Sequence, residues 1–267
     1  MQDYKHRISS EVFLNEAKRI VEEATKQKIV LRIMGALGIR LHSLELSDFH
    51  KNLTRLGTGA AEFTDIDIMS EEKYRSRMKT FFESIDYVPD KTYYVIHVWS
   101  LRHIYHKLNE KISVDVFFDK LDMCHTIDLR NRLEVDYPTI PLADLLLEKL
   151  QIVNINEKDI KDVIVLLKAH NVGDSDEETI NADYIAKLLS KDWGFWYTVM
   201  MNLNKVRSFA RRYANEGLIK EDYLQDIHSK IDQIVQFIEN TPKTLAWKMR
   251  AKIGTKKKWY RDVEEIK

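Results

Sequence analysis

Apolar residues recur along this chain at two different periods, and the period changes part-way. Phe13, Ala17, Ile20, Val21 and Ala24 fall three or four apart, which predicts a helix from the Ser9-Ser10-Glu11 start to about Gln27. Ile29 to Ile33 is a short branched run and predicts a strand. It leads into Met34-Gly35-Ala36-Leu37-Gly38, after which a second helix is expected to carry Ile39 and Leu41 to Ser43. Residues 44–62 have little period and contain Gly57-Thr58-Gly59, so they read as a loop with room for a helical turn. Phe63 to Met69 alternates like a strand, and Ser70-Glu71-Glu72 is placed to cap a helix reaching Phe82. Further strands are predicted at 93–98, 112–118 and 126–129.

Beyond Pro138 and Pro141 the alternation gives way to helical spacing, with helices predicted at 142–153, 157–169, 181–190, 193–213, 219–240 and 243–253. Strands mixed with helices, then helices alone, predict an α+β protein. A mixed-sheet domain over 1–140 is expected to precede an all-α helical bundle over 141–267. No internal repeat is visible.

Composition narrows the class. The chain of 267 residues is long enough for a substantial core, and its 42 basic residues balance its 42 acidic ones. Bulk charge therefore gives no pull toward nucleic acid or membrane. A single cysteine, Cys124, excludes an internal disulfide and fits a reducing, cytoplasmic setting. The amino-terminal residues carry no apolar stretch of the signal-peptide kind, and no run nears the roughly 18 apolar residues of a membrane helix. A soluble protein without a membrane partner is expected.

The chemistry concentrates at Thr64-Asp65-Ile66-Asp67-Ile68. On a strand Asp65 and Asp67 share one face while Ile66 and Ile68 share the other. Two adjacent acids repel and resist burial unless water or a cation neutralises them. Ile112 to Phe118 repeats the pattern, with Asp115 set against Ile112, Val114, Val116 and Phe118. If the two strands are neighbours, three carboxylates converge, a donor set that suits Mg²⁺. An Asp-x-Asp pair can equally be a solvated strand edge.

Lys149 falls on the apolar stripe of Leu142, Leu146 and Val153, where an ammonium needs a partner or an anion. It either snorkels to water, pairs with Glu148 or Glu45, or meets an anionic ligand. Asp159 and Asp162 share one face of the following helix and are placed to bind Lys149, to orient a hydroxyl, or simply to be solvated.

Together these pieces resemble the nucleotidyltransferases of the DNA polymerase β-like superfamily, and more narrowly the AbiEii-type toxin enzymes of abortive-infection systems. The matching residues are Gly35-Ala36 at a helix start, Thr64 before Asp65-Ile66-Asp67, Asp115 on a later strand, Lys149, and Lys158-Asp159-Ile160-Lys161-Asp162. They span about residues 28 to 170, so that 141–170 would complete the active site. The resemblance implies transfer of a nucleoside monophosphate from an NTP to an acceptor hydroxyl. Asp65, Asp67 and Asp115 would hold two Mg²⁺ ions, with Asp115 as the base. Gly35, Ala36, Thr64 and Lys149 would contact the nucleotide, and Asp159 and Asp162 would position Lys149 or the acceptor. An RNA or protein acceptor and an antitoxin partner are implied by the toxin-like relatives. The rival readings are a non-catalytic nucleotide- or RNA-binding module and an antibiotic nucleotidyltransferase. Residues 44–62 read as an insertion, either a lid or an acceptor-binding loop.

Other features carry less. His97, His103 and His106 lack a fourth ligand at suitable spacing, although His103 and His106 would share a face if helical, so surface or hydrogen-bonded histidines are expected. Gly57-Thr58-Gly59 is followed by no Lys-Ser/Thr pair and is not a Walker loop. Trp193, Phe195, Trp196, Tyr197, Met200 and Met201 are expected to pack in a core or a dimer contact. From Thr241 to Arg261 there are eight basic residues and no acid, interleaved with Trp247, Trp259 and Tyr260. Lys205, Arg207, Arg211 and Arg212 would extend that surface. It reads either as a solvated tail or as a tract that follows a phosphate backbone and stacks on bases.

Overall fold

Ser9 accepts a hydrogen bond from the Val12 amide and so starts the first helix, α1 (Ser10–Lys26), whose Phe13, Ala17, Ile20, Val21 and Ala24 are all buried. The computed structural model describes residues 8–57, 60–91, 102–108 and 110–263. The strand expected at 93–98, with His97, lies outside these, as do Thr58 and Gly59. By internal contacts the chain forms two compact units, one of residues 1–44, 54–121 and 128–140, the other of 45–53, 122–127 and 141–267.

The first unit is built on a five-stranded mixed sheet. In chain order its strands are β1 (Leu31–Ile33), β2 (Ile66–Ser70), β3 (Tyr87–Pro89), β4 (Arg102–Lys107) and β5 (Ser113–Phe118). In space the order is β1-β2-β5-β4-β3. β2 and β5 run parallel and every other neighbouring pair is antiparallel. Two helices join them, α2 (Gly35–His42) after β1 and α4 (Arg75–Glu83) after β2. One sheet face is apolar because Ile66, Ile68, Val114, Val116, Phe118, Tyr105 and Tyr87 all point to it. Met78, Phe81 and Phe82 of α4 join these residues and the apolar stripe of α1 in a single core cluster. The opposite face is left for the acids.

The helix after β2 begins differently from the sequence expectation. Ser70 does not cap it; Ser70 is the last residue of β2, fully buried, and its hydroxyl donates to the Val30 carbonyl. A 3-10 turn at Glu72–Tyr74 precedes α4, and the Glu72 amide donates to the carboxylate of Asp119, which is distant in sequence. In the 44–62 stretch a 3-10 turn at Leu44–Leu46 leads into a short helix, α3 (Ser47–Asn52). β6 (Lys120–Asp122) and β7 (Thr126–Asp128) pair as a ribbon.

The second unit is mostly helical: α5 (Leu142–Leu150), α6 (Glu157–Ala169), α7 (Ala182–Leu189), α8 (Trp193–Asn215), α9 (Glu221–Asn240) and α10 (Leu245–Ile253). Every residue of α5 is buried, so it is a central helix rather than an amphipathic one. This unit is not purely α: β8 (Asn171–Gly173) and β9 (Thr179–Asn181) form a small parallel pair. Among the described residues no helix is long and apolar enough to cross a membrane.

Candidate metal centre

The parallel pairing of β2 with β5 decides the site. Its register sets Asp67 directly against Asp115, while Ile66 opposes Val114 and Ile68 opposes Val116. Residues opposite each other on neighbouring strands point to the same face, so the two acids meet there and the aliphatics meet in the core. Asp65 precedes β2 and joins them; the ligand atoms of Asp65, Asp67 and Asp115 all lie within 4.8 Å of one another. Asp65 is exposed, Asp67 half-buried and Asp115 buried. Burial, the largest influence on it, pushes the Asp115 carboxyl pKa above the ordinary carboxylate value; the charge of Arg102 opposes the shift and that of Asp65 adds to it. Three oxygen donors converging at this spacing fit a hard divalent cation such as Mg²⁺.

Gly35 is fixed by the same geometry. The Met34 amide donates to the Asp67 carbonyl at 2.9 Å, which brings the amino end of α2 against the acidic strand. Gly35 has φ +67°, and a Cβ there would lie 2.7 Å from Oδ2 of Asp67. Only glycine allows both that backbone angle and that approach. The positive end of the helix faces a carboxylate, a favourable arrangement. Thr64 donates its hydroxyl to Oδ1 of Asp65 at 3.0 Å, so it orients one of the acids. Ala36 is half-buried and packs against the core cluster.

One neighbour of the triad, Arg102, escaped the sequence reading, whereas His106 is the hydrogen-bonded histidine expected. Arg102 of β4 donates to Oδ2 of Asp115 in an ion pair, and its guanidinium lies 5.5 Å from the centre of the Phe117 ring. His106, two pleats along the same face, pairs with Asp90 at 2.9 Å. His103 and His106 share no face, because they lie on a strand: His103 is buried beside Arg75, Tyr105 and Phe118, whereas His106 points to the acidic face.

Lys149, Asp159 and Asp162 come together within the second unit. The Lys149 ammonium lies 3.2 Å from Asp159, 3.3 Å from Asp162 and 3.6 Å from Glu148, and all four residues are buried. Asn156 caps α6 by accepting from the Asp159 amide, which fixes where that acid stands. Tyr184 donates to Asp144 on the same central helix, α5.

Aromatic residues of the basic tract are used within the same unit. Trp247 packs edge-on to Trp196, Trp259 packs on Tyr197 and donates to the Thr198 hydroxyl, and Arg250 lies over Trp193. Arg207, Arg211 and Arg212 are ion-paired to Asp232, Glu221 and Glu157, and Lys205 reaches the Val153 carbonyl.

No protein-family model matches the chain, and no curated protein matches it. Among solved structures it is similar to the antibiotic-resistance factor ANT(2'')-Ia, known from a solution structure. The two share 12% identity over 68% of this chain and 94% of that one, with a TM-score of 0.38. A superposition that loose carries no argument about activity and assigns no family. The functional reading stands on the geometry of the acids.

Proposed function

We propose that the chain is a metal-dependent nucleotidyltransferase that moves a nucleoside monophosphate from an NTP to an acceptor hydroxyl. One observation carries the reading: Asp67 and Asp115, on neighbouring parallel strands, and Asp65, just before the first of them, bring their ligand atoms within 4.8 Å of one another. Asp65, Asp67 and Asp115 would hold Mg²⁺, which when bound supplies Lewis-acid activation and neutralises phosphate charge. The chain's own groups do the rest. The amino end of α2 at Gly35 would donate backbone N–H groups to phosphate oxygens, since no Cβ blocks the approach. The acceptor oxygen attacks the α-phosphorus, the bond from that phosphorus to the bridging oxygen of the β-phosphate breaks, and pyrophosphate leaves. Asp115 would take the hydroxyl proton, the role the family resemblance implies for it.

Lys149, with Asp159 and Asp162, enters this proposal as a positioned cation and its holders, as the family resemblance implies. The buried ammonium among three carboxylates supports a fixed position for it. The acceptor stays within the class of RNA, protein or small hydroxylated drug, and a toxin role with an antitoxin partner is the narrower form of the first two.

The test is incubation with each α-labelled NTP and Mg²⁺ in the presence of RNA, cell extract or an aminoglycoside, for the wild type and for Asp65→Asn/Asp67→Asn. Labelling of one acceptor that vanishes in the variant is expected. Equal labelling by both proteins, or none of any acceptor by the wild type, overturns the reading.

A second reading, a non-catalytic nucleotide-binding module, is favoured by the Arg102 ion pair, which places a guanidinium on the carboxylate a cation would need. NTP binding that needs no divalent ion and survives Asp115→Asn would establish it.

A further inference from the structure

We propose that α10 and the turn after it form a docking surface for an anionic lipid membrane. Among the described residues the helix LAWKMRAKI is held to its unit by one side. Trp247 faces Trp196, Arg250 lies over Trp193, and the Thr244 amide at its start donates to the Ser190 carbonyl. No residue of α10 is buried. The side turned away carries Leu245, Met249 and Ile253, four residues apart, which are 76%, 60% and 45% exposed. Residues at this spacing form one row along a helix. Lys248 and Lys252 form the adjacent row, both exposed, and exposed Lys256 and Lys257 follow in the 3-10 turn and beyond it. An apolar row beside a lysine row, on a helix held flat by its opposite side, is the layout of a segment that lies in the lipid interface.

Three observations choose lipid over other anionic partners. From Thr241 to Arg261 the tract has no acidic residue, so its charge complements an anionic surface although the whole chain is neutral. The bulk balance that argued against a membrane partner hides this local excess. Base stacking requires free aromatic faces, and here Trp247 and Trp259 are spent on Trp196 and Tyr197. Protein interfaces favour Trp, Tyr and Arg and are poor in Lys. On α10 the arrangement is reversed: Trp and Arg turn inward, and the exposed cations are lysines. Lysine stems can cover apolar surface while the ammonium reaches a headgroup phosphate.

The full chain would be sedimented with vesicles of phosphatidylcholine alone and of phosphatidylcholine with phosphatidylserine, at low and moderate salt. Binding only to the phosphatidylserine vesicles, weakened by salt, is expected. Each lysine removed should weaken it about fivefold, so Lys248→Ala/Lys252→Ala should lose about 25-fold. Leu245→Ser/Met249→Ser should weaken binding at unchanged charge. These side chains are exposed, and an unchanged melting temperature would confirm that each variant folds. Equal binding to both vesicle types, no binding to either, or phosphatidylserine binding that both double variants retain would overturn the proposal. So would a lysine-dependent shift of labelled RNA without vesicle binding, which would make the tract a nucleic-acid surface, or capture of an acidic protein through the Leu245–Met249 row without vesicle binding.

Discussion

Replacing Gly35 by alanine tests how tightly the acidic strand and α2 depend on one another. Two costs are separable. The backbone at φ +67° lies in the left-handed region, which costs an alanine about 1–2 kcal/mol. The new Cβ would also stand 2.7 Å from Oδ2 of Asp67, so to restore an ordinary 3.4 Å contact that carboxylate must retreat by about 0.7 Å. A ligand displaced by that much leaves the geometry it shares with Asp65 and Asp115, and perturbing a ligand's support typically costs 10–100-fold in metal affinity. Gly217 provides the control: it has φ +75° with nothing within 4 Å of an added Cβ. Denaturant unfolding and Mn²⁺ titration of both variants would be compared with the wild type. Both should lose about 1–2 kcal/mol, and Gly35→Ala alone should also lose about 10–100-fold in Mn²⁺ affinity. If Gly35→Ala binds Mn²⁺ like the wild type, the contact with Asp67 does not shape the site and the reasoning fails.

Two further outcomes are expected. Glu16 is buried among Arg19, Tyr87 and Lys107; burial alone would raise its pKa, but their hydrogen bonds outweigh it and hold the carboxyl down at about 2. Because the folded value lies below the unfolded one, the stabilisation is fully present above about pH 4.5 and is lost as pH falls toward 2. Its size is about 3 kcal/mol, so Glu16→Gln should flatten the acid limb of a stability–pH curve; an unchanged limb would refute the assignment. Lys149→Met should cost about 3–5 kcal/mol, because it strands buried carboxylates. Adding Asp159→Asn/Asp162→Asn should restore much of that stability. If the restored protein also regains full nucleotidyl transfer, the cluster is structural and its part in the proposed reaction is withdrawn.

What the sequence could show depended on the range of each interaction. The alternation around Asp65, Asp67 and Asp115 is local, so which face each acid takes was legible. That β2 and β5 lie side by side was a conditional inference, and the register that sets Asp67 against Asp115 supplies the condition. Lys149 on an apolar stripe signalled a buried ammonium, and its partners proved to be Asp159, Asp162 and Glu148. Arg102 was missed because Arg102-His103-Ile104-Tyr105-His106-Lys107 shows no clean apolar period: its buried side carries a histidine and a tyrosine, and its other side serves the acids. The same stretch invited a helical pairing of His103 with His106 that a strand forbids. Ser70 looked like a cap because serine before two glutamates is a local signal; the actual partner, Asp119, comes from beyond β5 and no local rule finds it. β8 and β9, three residues each, are too short for any period to register.

The central claim is that Asp65, Asp67 and Asp115 act together on one bound cation. Calorimetric titration of the wild type with Mn²⁺, repeated for Asp65→Asn, Asp67→Asn and Asp115→Asn, tests it most directly. Binding by the wild type that each single substitution weakens at least tenfold is the expected result. Binding that none of the three alters, or no binding by the wild type with or without an NTP, would contradict the account.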